Sequence, residues 1–114
     1  MNKRTVGTQT EARASDFLTG QGLHILEHSY RCRIGEIDLI AAEADGTVVF
    51  VEVKYRRTDT MGLPEEAVGR KKQETIRRTA LRYLTERSMP PESAVRFDVI
   101  AMDTAEIRWY KNAF

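Results

Sequence analysis

The segment Phe50-Val51-Glu52-Val53-Lys54 constrains this chain most. It lies in a run from Val48 to Tyr55 that is rich in β-branched and aromatic residues and reads as a β-strand, the clearest one in the sequence. Strand side chains alternate, so Val49, Val51 and Val53 take one face while Val48, Phe50, Glu52 and Lys54 take the other. Two charged groups one pleat apart on an apolar face are costly unless a partner or a metal ion compensates them. A second run, Gly35-Glu36-Ile37-Asp38-Leu39-Ile40, has the same character, and by alternation Glu36, Asp38 and Ile40 share a face. An Asp on one strand and Glu-x-Lys on the next point to a site for a divalent cation and a phosphodiester.

The rest of the chain builds around these two strands. Residues 5–20 read as a helix with Ala12, Ala14, Phe17 and Leu18 on its apolar side, ended by Gly20 or Gly22. A first strand covers 23–30, and Arg31-Cys32-Arg33 forms a basic bend. The second strand covers 34–42, Asp45-Gly46 marks a hairpin turn, and the third strand covers 47–55. Residues 56–64, with Gly62 and Pro64, read as a loop. A long helix is expected over 65–87. Glu65 and Glu66 suit its positive end, and Arg82 and Arg87 suit its negative end. Val68, Ile76, Ala80 and Leu84 recur at multiples of four as its core stripe, and Lys72 falls in the same series. Pro90-Pro91 breaks the chain before strands over 95–102 and 105–111. The order α-β-β-β-α-β-β implies an α/β fold with helices packed on a mixed central sheet.

Length and composition bound the function. A chain of 114 residues, 41% hydrophobic and 31% charged, is expected to form a single domain over 1–114. No apolar run approaches the ~20 residues that span a bilayer, so no membrane partner is expected. No apolar stretch follows the basic start at Met1–Thr5, so no signal peptide is expected. The single cysteine, Cys32, excludes an internal disulfide and fits a reducing, cytoplasmic location. Net charge is only +1, but residues 54–87 carry ten Lys or Arg against five Asp or Glu. Such a local excess steers polyanions.

Asp38 followed by Glu52-Val53-Lys54 resembles the active-site pattern of the restriction-endonuclease-like superfamily, whose core has the same α-β-β-β-α-β order. More closely, the chain resembles the YraN-type family of small bacterial endonuclease candidates, which are similar to archaeal Holliday junction resolvases. The matching segments are Gly35–Ile40, Phe50–Lys54, Gly62-Leu63-Pro64-Glu65-Glu66-Ala67-Val68, Lys72-Gln73, Arg96-Phe97-Asp98-Val99 and Asn112-Ala113-Phe114, so the resemblance covers nearly the whole chain. Three positions depart from the pattern. Ile37 precedes Asp38 where the superfamily has Pro, Thr10 precedes Glu11 where Gly is frequent, and Tyr55 stands where a small Thr is frequent.

The resemblance implies a Mg²⁺- or Mn²⁺-dependent DNA endonuclease, selective for branched or junction structures. Phosphodiester hydrolysis needs charge stabilisation and hydroxide near neutral pH, and Mg²⁺ supplies both through oxygen ligands. By resemblance, Asp38 and Glu52 are the ligands, the Val53 carbonyl adds an oxygen, and Glu11 completes the set from the first helix. Lys54 orients the attacking water or neutralises the scissile phosphate. Lys72 and Gln73 touch phosphate, with Lys71, Arg56, Arg57 and Arg78 extending a sequence-independent surface. The implied partner is DNA, branched or duplex, with RNA left open, and an enzyme cutting two strands is expected to act as a homodimer.

Plainer readings stand beside these. An isolated Glu-x-Lys in a strand is usually a solvated ion pair, and Asp38 with the flanking segments is what reverses that reading. Glu36 either joins the metal site or pairs with Arg31 or Arg33. His24 and His28, four apart on one strand face, lack the cluster that zinc requires. Cys32 reads as an inert small residue, and Trp109, Tyr110 and Phe114 as packing residues. The alternative to the enzyme is a non-catalytic nucleic-acid-binding module of the same fold. A third reading is an interaction protein in which the carboxylates are structural pairs.

Overall fold

The computed structural model describes residues 3–55, 68–90 and 92–114, with side chains from Gln9 onward. Its elements are α1 (Lys3–Gly20), β1 (His24–Arg31), β2 (Glu36–Ala42), β3 (Val48–Tyr55), α2 (Arg70–Glu86), β4 (Val95–Met102) and β5 (Ile107–Tyr110). Among the described residues the five strands form one sheet in the order β1-β2-β3-β4-β5. Only the β3–β4 pair is parallel, and the chain between these two strands contains α2, as a parallel pair needs a long crossover. The mixed sheet and the α-β-β-β-α-β-β order match the expected restriction-endonuclease-like core.

Each helix covers one face of the sheet. Ala14 and Leu18 of α1 pack on Leu39, Ala41, Val49 and Val51, while Ile76, Ala80 and Tyr83 of α2 pack on Ile40, Val48, Phe50 and Val99. The alternation read in β3 is therefore the division between two cores. Helix α1 ends where expected. Leu23 N–H reaches the Leu18 carbonyl and Gly22 N–H the Thr19 carbonyl, with Gly22 at φ +96°, a left-handed cap that favours glycine. Gly46, at φ +94°, forms the hairpin turn with a 2.9 Å bond from its N–H to the Glu43 carbonyl.

Four expectations need correction. First, α2 begins at Arg70: Val68 is buried but not helical, and Gly69 is extended at φ −68°, ψ 165°. Glycine is a poor helix former, and no side chain caps this end. The loop at 56–64 and Glu65 and Glu66 lie outside the described residues. Second, Ala12 is exposed, so the buried side of α1 is narrower than its sequence pattern implied. Third, His24 and His28 do not share a face. A bulge between Ile25 and Glu27 shifts the register, so His24 opposes Ala42 and His28 opposes Leu39, whose side chains point to opposite faces. Fourth, alternation fails beside Asp38. Ile37 joins the α2-side core together with Ile40, although strict alternation would separate them, and Tyr30 opposite Ile37 does the same. Ser29, between His28 and Tyr30, has φ +50°. Both strands thus turn over at the same level.

Gly35, at the head of the Gly35–Ile40 segment, sits hard against α2. A Cβ there would lie 2.7 Å from Thr75 Cγ2 and 3.0 Å from Thr79 Oγ1. Gly35→Ala is expected to destabilise by about 1–3 kcal/mol, because an overpacked contact must push the helix outward. Urea denaturation checks this, and an unchanged midpoint would show that α2 yields at no cost.

Candidate metal and nucleic-acid site

The β2–β3 ladder runs from Ala42–Val48 to Leu39–Val51 and stops there. Asp38 and Glu52 stand where the strands part. The Val53 N–H donates to Asp38 Oδ2 at 2.8 Å in place of a strand partner. Glu52 is 7% exposed, and its carboxylate meets Asp38 in a carboxyl–carboxylate hydrogen bond. Burial, this hydrogen bond and the Glu52 charge push the Asp38 pKa up to about 8, with a further push from the Glu11 charge, while the Val53 N–H acts in the opposite direction. Asp38 therefore keeps its proton at neutral pH.

Lys72, in the first turn of α2, points at this pair. Its Nζ lies 3.0 Å from Glu52 Oε2. The contact is one of charge rather than an aligned hydrogen bond, because Oε2 is buried and has no donor in good geometry. Burial works against the Lys72 ammonium, but the Glu52 and Asp38 carboxylates prevail and hold its pKa above the ordinary lysine value. Lys54 is half-buried two residues along β3 and within hydrogen-bond reach of Lys72. The fold thus gathers Asp38, Glu52, Lys54 and Lys72 from β2, β3 and α2.

Glu11 is near enough for its charge to act on Asp38, but its Oε1 accepts a 2.6 Å hydrogen bond from Ser29 Oγ. Ser29 belongs to this neighbourhood, and no spacing in the sequence marks it. Among the described residues no three His, Cys, Asp or Glu side chains gather closely enough to hold a metal. Glu36 is exposed and pairs with Arg31 at 2.6 Å. Tyr55 lines a cleft of about 160 Å³ with Gln9, Thr10 and Arg13.

The donor set fits a hard dication. Asp38 and Glu52 offer oxygen only, and the buried Glu52 Oε2 lacks an aligned donor. Two carboxylates are what Mg²⁺ commonly takes from a protein, with water and phosphate oxygens filling the remaining positions.

The remaining basic candidates differ in their surroundings. Gln73 donates from Nε2 to the Val68 carbonyl at 2.8 Å, which closes the start of α2. Lys71 and Arg78 are exposed on the same helix. Arg77 lies over the Phe97 and Phe114 rings at 5.8 and 5.4 Å, and Arg82 pairs with Glu86 at 3.1 Å. Arg56 and Arg57 lie outside the described residues. The aromatic residues of the last strand pack: Trp109 meets Phe17 edge-on at 6.0 Å, and Phe97 stacks on Phe50 and Phe114, each at 5.4 Å.

A second buried acid, Asp98, is a structural centre that the sequence reading does not single out. Asp98 is fully buried and accepts from Arg96 Nε at 2.9 Å, Arg96 Nη2 at 3.0 Å, Trp109 Nε1 at 2.9 Å and Asn112 N–H at 2.9 Å. Arg96 also reaches Glu43 at 2.6 Å. A lone Asp in the apolar alternation of 95–102 was the available signal.

The model of the Uncharacterised protein family UPF0102 matches residues 10–102. A UPF0102 protein of Lachnoclostridium phytofermentans is 48% identical over 114 residues, covering all of this chain and 96% of that one. A UPF0102 protein of Caldicellulosiruptor saccharolyticus is 40% identical over 120 residues, covering both chains fully. A solved structure of Pyrococcus furiosus SfsA in complex with Ca²⁺ is similar at a TM-score of 0.35 and 14% identity, over 96% of this chain and 64% of that one, which is too slight to bear on function.

Proposed function

This chain belongs to the uncharacterised protein family UPF0102, and from that premise we propose that it is a Mg²⁺- or Mn²⁺-dependent endonuclease that hydrolyses phosphodiester bonds in DNA. One observation carries the reading. Two acids, Asp38 and Glu52, are held together at the parting of β2 and β3, at a cost that only a cation or a proton relieves. Two lysines face them.

Each residue then has a task. Asp38, once deprotonated, and Glu52 would together hold the cation. Lys54, a compact ammonium on the Glu52 strand face, neutralises the scissile phosphate. A divalent ion held there would supply hydroxide near neutral pH and stabilise negative charge in the transition state. Lys71 and Arg78 on the exposed side of α2 contact phosphates without reading bases, so substrate choice follows DNA shape, branched or duplex, rather than sequence. Two-strand cleavage calls for a C2 homodimer.

The test is a cleavage assay with Mg²⁺ or Mn²⁺ on linear duplex, single strand, four-way junction, flap and an RNA control. Glu52→Ala and Asp38→Ala proteins run beside the wild type. The expected outcome is metal-dependent cleavage that both variants lose while keeping their circular dichroism spectra. Undiminished cleavage by both variants would reject the site. Salt-sensitive DNA retardation without turnover would make the chain a nucleic-acid-binding module.

A further inference from the structure

Among the described residues two ion pairs bury a carboxylate, Lys72–Glu52 and Arg96–Asp98, and they are built differently. Arg96 and Asp98 are locked: the guanidinium makes two aligned bonds, and Trp109 and Asn112 fill the remaining acceptor positions. Lys72 and Glu52 are not. They meet 3.0 Å apart without an aligned hydrogen bond, and the Lys72 side chain is half-exposed while that of Glu52 is buried. A lysine head on a flexible four-carbon stem can turn to solvent without uncovering the core. No aligned hydrogen bond locks it on Glu52.

We propose that Lys72 is an exchangeable counter-ion of Glu52, which occupies the carboxylate while no divalent cation is bound and is released towards the substrate's phosphates when one binds. The inference rests on the endonuclease reading above. An ammonium and a dication cannot both sit against Glu52 Oε2 without strong repulsion. Metal entry therefore frees Lys72. By reciprocity, whatever draws Lys72 away from Glu52 strengthens metal binding by the same factor, and a row of phosphates does this. Such an exchange keeps the site weak for metal until nucleic acid arrives.

The experiment measures binding rather than turnover. Mn²⁺ is titrated into the full chain without DNA, and free Mn²⁺ is followed by electron paramagnetic resonance. The proteins are wild type, Lys72→Met, Lys72→Gln and Arg70→Met. Arg70→Met removes the same charge from an exposed position at the start of the helix. Both Lys72 variants are expected to bind Mn²⁺ about tenfold tighter than wild type, with Arg70→Met within about twofold of it. Binding detectable only in the Lys72 variants supports the proposal equally. Lys72→Gln serves if the methionine variant misfolds. In a second arm, duplex DNA affinity is read by anisotropy in EDTA and in Ca²⁺. Lys72→Met should matter little in EDTA, where Lys72 is held by Glu52, and should cost about tenfold in Ca²⁺. An equal loss in both solutions overturns the release. Wild type and Lys72 variants binding Mn²⁺ equally well overturns the exchange and leaves the endonuclease reading standing. No Mn²⁺ binding by any of the four proteins overturns both.

Discussion

Asp98→Ala is expected to cost about 3–5 kcal/mol of folding stability. The carboxylate is fully buried and takes four hydrogen bonds, from Arg96, Trp109 and Asn112. Removing it leaves the Arg96 guanidinium with Glu43 alone and leaves the Trp109 and Asn112 N–H groups without an acceptor. Each buried donor left unpaired costs about 1–3 kcal/mol. The loss also has a place. Asn112 N–H to Asp98 and Ala113 N–H to the Phe97 carbonyl, at 2.7 Å, tie the tail to β4. Trp109 is the chain's single tryptophan and bonds Asp98 directly, so its fluorescence reports the break. Urea unfolding followed at that tryptophan checks the prediction. A loss under about 1 kcal/mol would mean that water or Glu43 replaces Asp98 and that the network is dispensable.

The second large effect is a dependence of stability on pH that one substitution removes. Asp38 carries a pKa near 8 in the folded protein against an ordinary value of 3.8. Between these values the unfolded chain has released the proton and the folded chain retains it. The folded state binds more protons, so stability falls as pH rises. The contribution is intact below pH 4, declines from about 4 to 8, and levels off above 8. Its size is on the order of a few kcal/mol. Asp38→Asn keeps a donor for Glu52 and never ionises. It should flatten this part of the profile and make the metal-free protein more stable than wild type at pH 8–9, while abolishing cleavage. Saturating Mg²⁺ should flatten the wild-type profile in the same range, because the ligand form of Asp38 is the deprotonated one. Thermal denaturation of both proteins from pH 4 to 9 in EDTA measures the effect. Parallel profiles would place the proton elsewhere.

A gain in stability on removing an acid is what two crowded carboxyl groups predict. Asp98 is the contrasting case, an acid whose every acceptor position is met and whose loss only harms the fold. Burial alone does not distinguish the two. The partners do: Asp38 faces another acid, whereas Asp98 faces a guanidinium and two N–H donors.

Much of this was legible in the chain itself. The alternation in Val48–Tyr55 foretold two cores on two faces, and the four-residue spacing of Lys72, Ile76 and Ala80 foretold which residues α2 turns toward the sheet. Local periodicity encodes such features because each side chain's direction follows from backbone geometry alone. Helix ends were less legible. Gly69 precedes α2, but the apolar stripe runs on through Val68 and hides that boundary in the sequence.

Tertiary structure decided the rest. That β2 and β3 part after Leu39–Val51 is what brings Asp38 against Glu52 with the Val53 N–H between the strands. The turn-over at Ser29 and Asp38, the hold of Ser29 on Glu11, and the approach of Lys72 to within 3.0 Å of Glu52 depend on where separate elements meet. The sequence by itself determined which residues could carry charge into an apolar sheet. Only the packing of α1 and α2 on opposite faces decided which of those charges meet, because contact between distant segments depends on the path of the whole chain and not on any local pattern.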